Sequence, residues 1–131
     1  MLKLKNSFFK LVENVKINIT CVKVKNDIKI HSDKMNMLAD IKDIREITKS
    51  GRILSVKHLL IVVLEFWIDT KSQYCKKFLN ESFNIIFDWP SDWGSALATL
   101  RANNVGLLNT SNLIGGYNKW LELSDPIEEA R

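Results

Sequence analysis

The sequence predicts an α/β fold: a largely parallel sheet flanked by helices. Three observations carry this. An apolar run, Leu59-Leu-Ile-Val-Val-Leu64, sits inside the most hydrophobic stretch of the chain. A second β-like run, Asn84-Ile-Ile-Phe-Asp-Trp89, is broken by Pro90, and a third short one follows at residues 105–109. Helical patterns separate the three, so from Leu59 onward the order is strand, helix, strand, helix, strand, helix with short connections. Such alternation favours parallel strands joined by crossover helices.

Taken in order, Leu4, Phe8, Leu11, Val12 and Val15 form one helical stripe. Ile17, Ile19, Cys21 and Val24 then alternate with polar residues as in a half-buried strand, and Asn26-Asp27 turns into a second strand at residues 28–31. This hairpin reads as a sheet edge. Ser32-Asp33 resembles a helix cap, and Met35, Leu38, Ile41, Ile44 and Ile47 predict a helix ending near Gly51. Residues 52–56 read as a connector or short strand. Residues 60–68 read as a buried strand on the strength of Ile-Val-Val and the aromatic residues, with a long buried helix over 56–69 as the alternative. Tyr74, Phe78, Leu79 and Phe83 predict a helix over 73–83. Ser91 is placed as the cap of a helix over 92–102, and Thr110 or Ser111 as the cap of the last helix, carrying Leu113, Ile114, Tyr117, Trp120 and Leu121.

A chain of 131 residues reads as a single domain, 1–131, with a basic helix, hairpin and helix over 1–50 and a strand–helix core over 51–131. Residues 1–50 hold eleven Lys and Arg against six Asp and Glu, within a net charge of +4. That surplus suits a phosphate-facing surface and equally suits a solvated face. No apolar run is long enough for a membrane span and the first residues lack a signal-peptide core, so a cytoplasmic location is expected. Cys21 and Cys75 lie far apart and form no metal-ligand spacing. Neither His31 nor His58 has a partner for a hydrolytic triad, and no glycine-rich phosphate loop occurs.

If residues 60–68 form a strand, the period of two puts Glu65, Trp67, Asp69 and Lys71 on one face. Carboxylates there can hold a hard cation while the ammonium offsets charge developing at phosphorus. A plainer reading is a buried strand whose polar end meets water. Gln73, Lys76 and Lys77 either touch a phosphate backbone or form a wet helix face.

Trp67-Ile-Asp-Thr-Lys-Ser, Asn84-Ile-Ile-Phe, and the stretch from Leu97 to Gly116 together resemble the cleavage domain of FokI-type (type IIS) restriction endonucleases. More broadly they resemble the PD-(D/E)xK nuclease superfamily. The resemblance covers about residues 60–130. It implies a restriction-endonuclease-like mixed sheet flanked by helices. It further implies a DNA endonuclease using Mg2+, with Asp69 as a metal ligand beside a second carboxylate, a place that Glu65 on the same strand face can fill, and with Lys71 positioning water and stabilising charge at phosphorus. DNA would be contacted by Lys71, Gln73, Lys76 and Lys77, with a second subunit or homodimer supplying specificity. The chain departs from that pattern at Gly51-Arg52, where the family expects Pro-Asp. Substitute acids are Asp40, Asp43, Glu46 or Glu65.

Two other readings stand beside the nuclease. One is a catalytically degenerate nuclease fold acting as a nucleic-acid-binding or interaction subunit, motivated by Arg52. The other is a small inhibitor or immunity-type protein using a surface around Trp89, Asp92 and Trp93, residues that a packed corner beside Pro90 would explain as well.

Overall fold

The computed structural model describes residues 7–23, 36–53, 56–59, 64–69, 71–73, 84–123 and 127–128. In chain order these form α1 (Phe8–Ile17), β1 (Cys21–Lys23), β2 (Asn36–Asp40), α2 (Ile44–Ser50), β3 (Arg52–Ile53), β4 (Lys57–His58), α3 (Leu64–Ile68), β5 (Asn84–Asp88), α4 (Trp93–Val105), β6 (Thr110–Ile114), α5 (Gly116–Glu122) and β7 (Ile127–Glu128). Five strands make one sheet in the order β1-β6-β5-β2-β4. Every pairing in it is parallel. β3 and β7 form a separate antiparallel ribbon.

The sheet centre is β5. Its Ile85, Ile86 and Phe87 are all buried, as expected of a strand covered on both faces. The period of two then divides the core. Ile85 and Phe87 join Ala39, Leu59, Leu64, Ile68, Ala98 and Ala102 under α3 and α4. Ile86 joins Leu38, Ile53, Val56, Leu113, Tyr117 and Trp120 on the opposite side under α5. α1 packs on α4 through Val12, Val15 and Ala96.

Local signals explain the ends of the helices. Ser7 Oγ accepts the Lys10 N–H at 3.3 Å to start α1, and Asp43 Oδ1 accepts the Arg45 N–H at 2.8 Å to start α2. Gly106, at φ 108°, ends α4 in the left-handed conformation that glycine adopts without a Cβ penalty.

The α/β architecture of a sheet flanked by helices is as the sequence predicts, and the five-stranded sheet is wholly parallel. β5 and α4 fall where expected. Three elements differ. The helix predicted from Met35 to Ile47 is divided: Asn36–Asp40 is strand β2, and only Ile44–Ser50 is helical. A strand buried on both faces lacks polar alternation, so its apolar residues fell into helical spacing by coincidence. The segment read as strand 60–68 is helical at Leu64–Ile68, the alternative periodicity left open. The strand expected at 105–109 begins instead at Thr110, where the last helix was to be capped; that helix starts at Gly116. β1 lies at the sheet edge but runs parallel to β6. The hairpin's second arm and all of the helix predicted over 73–83 beyond Gln73 lie outside the described residues, as do His31, Cys75, Lys76 and Lys77.

Leu64 is fully buried between α3 and the sheet. Leu64→Ala is expected to lower unfolding free energy by about 2–5 kcal/mol through lost burial and a residual cavity. A urea unfolding titration measures it; a loss below about 1 kcal/mol would place Leu64 outside the core.

Candidate functional site

In open parallel sheets, ligands occupy the crevice at the carboxyl ends of adjacent strands whose onward connections run in opposite directions. Here those strands are β2 and β5. From β2 the chain proceeds to β4 on one side of the sheet; from β5 it proceeds to β6 on the other. Their last residues, Asp40 and Asp88, are register partners. Both carboxylates are fully buried, and so is Lys42 two residues beyond β2.

The backbone after β2 is pinned on three sides. Ile41 N–H donates to Asp88 O at 3.2 Å and Leu59 N–H to Asp40 O at 2.9 Å. Asp40 Oδ1 accepts the Lys42 N–H at 2.8 Å, the turn an aspartate makes with the backbone two residues on. His58 Nε2, at the end of β4, lies 2.7 Å from the Lys42 carbonyl. The Lys42 side chain is thereby folded back into the protein. Its Nζ stands 2.9 Å from Asp40 Oδ2, 3.9 Å from Asp88 Oδ1 and 3.7 Å from the Tyr117 ring centroid, within reach of a cation–π attraction. Tyr117 itself is anchored by its hydroxyl donating to Ser50 O at 2.6 Å.

The loop after β5, Trp89-Pro-Ser-Asp92, follows Asp88 directly and rests on α5. Its carbonyls are held by the first turn of α5: Tyr117 N–H donates to Trp89 O and Asn118 N–H to Pro90 O, both at 2.8 Å. Gly116 permits this approach, since a Cβ there would meet Trp89 O at 2.1 Å. Asp92 is nearly buried and pairs with Lys16 of α1 at 2.7 Å. Trp93 remains partly exposed, edge-on to Phe8 and Phe9. The corner around Trp89 and Asp92 is therefore packed, and only Trp93 faces outward. Ser91 does not cap α4: the cap position is Asp92, without a side-chain bond.

Polar satisfaction is incomplete at this point. Asp40 Oδ2, Lys42 Nζ, both carboxylate oxygens of Asp88 and Ser91 Oγ are buried without a hydrogen-bond partner. Lys42 Nζ and Asp40 Oδ2 are close enough to attract but are not aligned as donor and acceptor. Burial, reinforced by Asp40 and partly offset by Lys42, pushes the Asp88 carboxyl well above the usual carboxylate range. Burial together with Asp88 and Asp40 likewise raises the Tyr117 hydroxyl.

The residues singled out from sequence are elsewhere. Glu65 lies on helix α3 and forms a two-pronged ion pair with Arg101 of α4, which lowers its pKa. Asp69 and Lys71 are exposed in the turn after that helix, where Asp69 Oδ1 accepts the Lys71 N–H at 2.9 Å. Gln73 is exposed in the same turn. The strand face that was to align Glu65, Asp69 and Lys71 does not exist, because residues 64–68 turn as a helix. Of the substitute acids only Asp40 reaches the crevice. Lys42, Asp88 and Tyr117 went unmarked, although Leu-Ala-Asp40 and Ile-Phe-Asp88 share a signal: an apolar run ending in aspartate.

No family model and no curated protein matches the chain. Solved structures do. A protein of unknown function from Rhodopseudomonas palustris CGA009, described as a possible tyrosine phosphatase, is 27% identical over 98% of each chain with a TM-score of 0.90. The polysulfide-sulfur transferase homodimer of Wolinella succinogenes superposes at TM-score 0.69 with 20% identity, over 92% of this chain and 86% of that one. A rhodanese-like domain from Anabaena gives 0.65 and 16% over 83% and 78%. The fold is rhodanese-like. This overturns the PD-(D/E)xK kinship, and with it the restriction-endonuclease-like sheet and the DNA endonuclease function, and it lends no support to the degenerate-nuclease or inhibitor-type readings. The short Asp-x-Lys element matched by chance and sits on the wrong kind of backbone. The expectation of magnesium rests on that kinship. Among the described residues no group of three or more His, Cys, Asp or Glu could hold a metal ion, and no helix is long and apolar enough to cross a membrane.

Removing one partner of a buried ion cluster strands the others. Lys42→Met is expected to cost about 3–5 kcal/mol in urea unfolding. Adding Asp40→Asn should restore about half of that loss, because one stranded charge goes. If the double variant were less stable than the single one, Lys42 and Asp40 would not be opposed across this site.

Proposed function

We propose that this chain is a binding domain on a rhodanese-like scaffold that takes an uncharged or cationic ligand at the switch point and performs no covalent group transfer there. Carrying sulfur on an enzyme requires a thiolate, and a phosphoryl intermediate requires an exposed nucleophile. The loop Trp89-Pro-Ser-Asp-Trp-Gly94 contains no cysteine. The acid before it and the acid within it are already committed: Asp88 is sealed beside Asp40 and Lys42, and Asp92 is paired with Lys16. The observation that carries the proposal is this sealed Asp88. With Asp88 held as the neutral acid, Asp40 and Asp92 offset Lys42 and Lys16, so no surplus cation among the described residues here draws in the anions of sulfur and phosphorus.

A second reading, thiol-based sulfur or phosphoryl transfer, is favoured by the likeness to transferases and to a possible tyrosine phosphatase. Its nucleophile would be Cys21, partly buried on β1 with Asn112 Nδ2 at 3.7 Å from its Sγ, or Cys75. One set of assays separates the two. Sulfur transfer from thiosulfate to cyanide and hydrolysis of an aryl phosphate are expected to stay at the buffer rate. Millimolar thiosulfate or phosphate should leave Tm unchanged. Turnover that disappears in Cys75→Ser or Cys21→Ser would replace the binding proposal with the transferase.

A further inference from the structure

We propose that the Asp40–Lys42–Asp88 cluster is a proton-operated latch: one proton shared into this dry site keeps the loop 89–92 seated on α5, and its loss loosens the loop. Among the described residues, the groups facing Asp88 come from several elements. Asp40 lies beside it on β2, Lys42 follows that strand, and Tyr117 covers both from α5. His58 at the end of β4 holds the Lys42 carbonyl, and the Asp92–Lys16 pair stands at the far end of the loop. One ammonium therefore meets two carboxyl groups, and it lies 1 Å nearer to Asp40 than to Asp88 (2.9 against 3.9 Å).

Neither oxygen of Asp88 receives a hydrogen bond. As a carboxylate it would be a second buried anion with no donor; as a carboxylic acid it carries no charge to desolvate. The raised Asp88 titration agrees with that geometry. Its sign follows from linkage. A proton held more tightly in the folded protein stabilises fully below the unfolded carboxyl value, and the gain is lost as pH rises through the folded value. The loop is where the change is read out, because it follows Asp88 directly and rests on two α5 amides, those of Tyr117 and Asn118.

Amide hydrogen exchange of the intact protein, corrected for intrinsic rates, tests the latch. Protection of the Tyr117 and Asn118 amides is expected to fall about tenfold or more between about pH 5 and pH 9. Amides in mid-α4, such as Ala102, should stay protected. Asp88→Asn, neutral at every pH, should abolish the fall. Asp40→Asn removes the neighbouring anion that raises the Asp88 titration, so the midpoint of the fall should shift to lower pH. A wild-type profile without a fall, or an equal fall in Asp88→Asn, overturns the latch. Should Asp88→Asn not fold, an unmoved midpoint in Asp40→Asn overturns it instead. None of these readouts depends on whether the chain transfers sulfur.

Discussion

The structure is arranged around a charge imbalance in a dry place. Two parallel strands end side by side in aspartate, and a single lysine reaches back between them. Desolvating three ionisable groups costs more than one imperfect pair recovers, so the surrounding chain has to hold them there. It does so through the β4 histidine on the lysine's carbonyl, the tyrosine ring over the ammonium, and the amides of α5 on the loop above. One of these contacts comes from β4 and two come from α5. The cluster thus ties β2, β4, β5 and α5 together at the sheet's carboxyl edge, where a hydrophobic contact would specify position far less tightly.

Much of the architecture was legible because periodicity and turn residues acted locally. Asn84-Ile-Ile-Phe-Asp followed by Pro90 is a strand with a stop, and the residues after it form a helix as their pattern indicates. The misread elements are those where tertiary burial erased the pattern. β2 is covered on both faces, so Met37, Leu38, Ala39 and Ile41 gave no alternation. The Leu64–Ile68 helix is too short to display its own period next to a longer apolar run.

The site was less legible, and for a physical reason. Asp69 and Lys71 attracted attention because they are close in sequence, whereas Asp40 and Asp88 are brought together only by strand pairing across 48 positions. Lys42 offered no hint at all, since nothing in Ile-Lys-Asp distinguishes a buried lysine from a solvated one. The rhodanese-like scaffold also does not settle the chemistry, which resides in side chains at the strand ends. In this chain those side chains are acids and an amine, with no thiol among them.

Gly116 has a consequence for how the chain can diverge. With φ at +60° and no room for a β-carbon beside Trp89 O, it joins two stretches of backbone at a distance that side chains would otherwise keep open. A longer β5–α4 connection would have to rise away from that junction, leaving the α5 amides bare. Length variation in descendants of this sequence should accordingly accumulate elsewhere on the molecule, and residues 89–92 and 115–118 should be inherited as one unit.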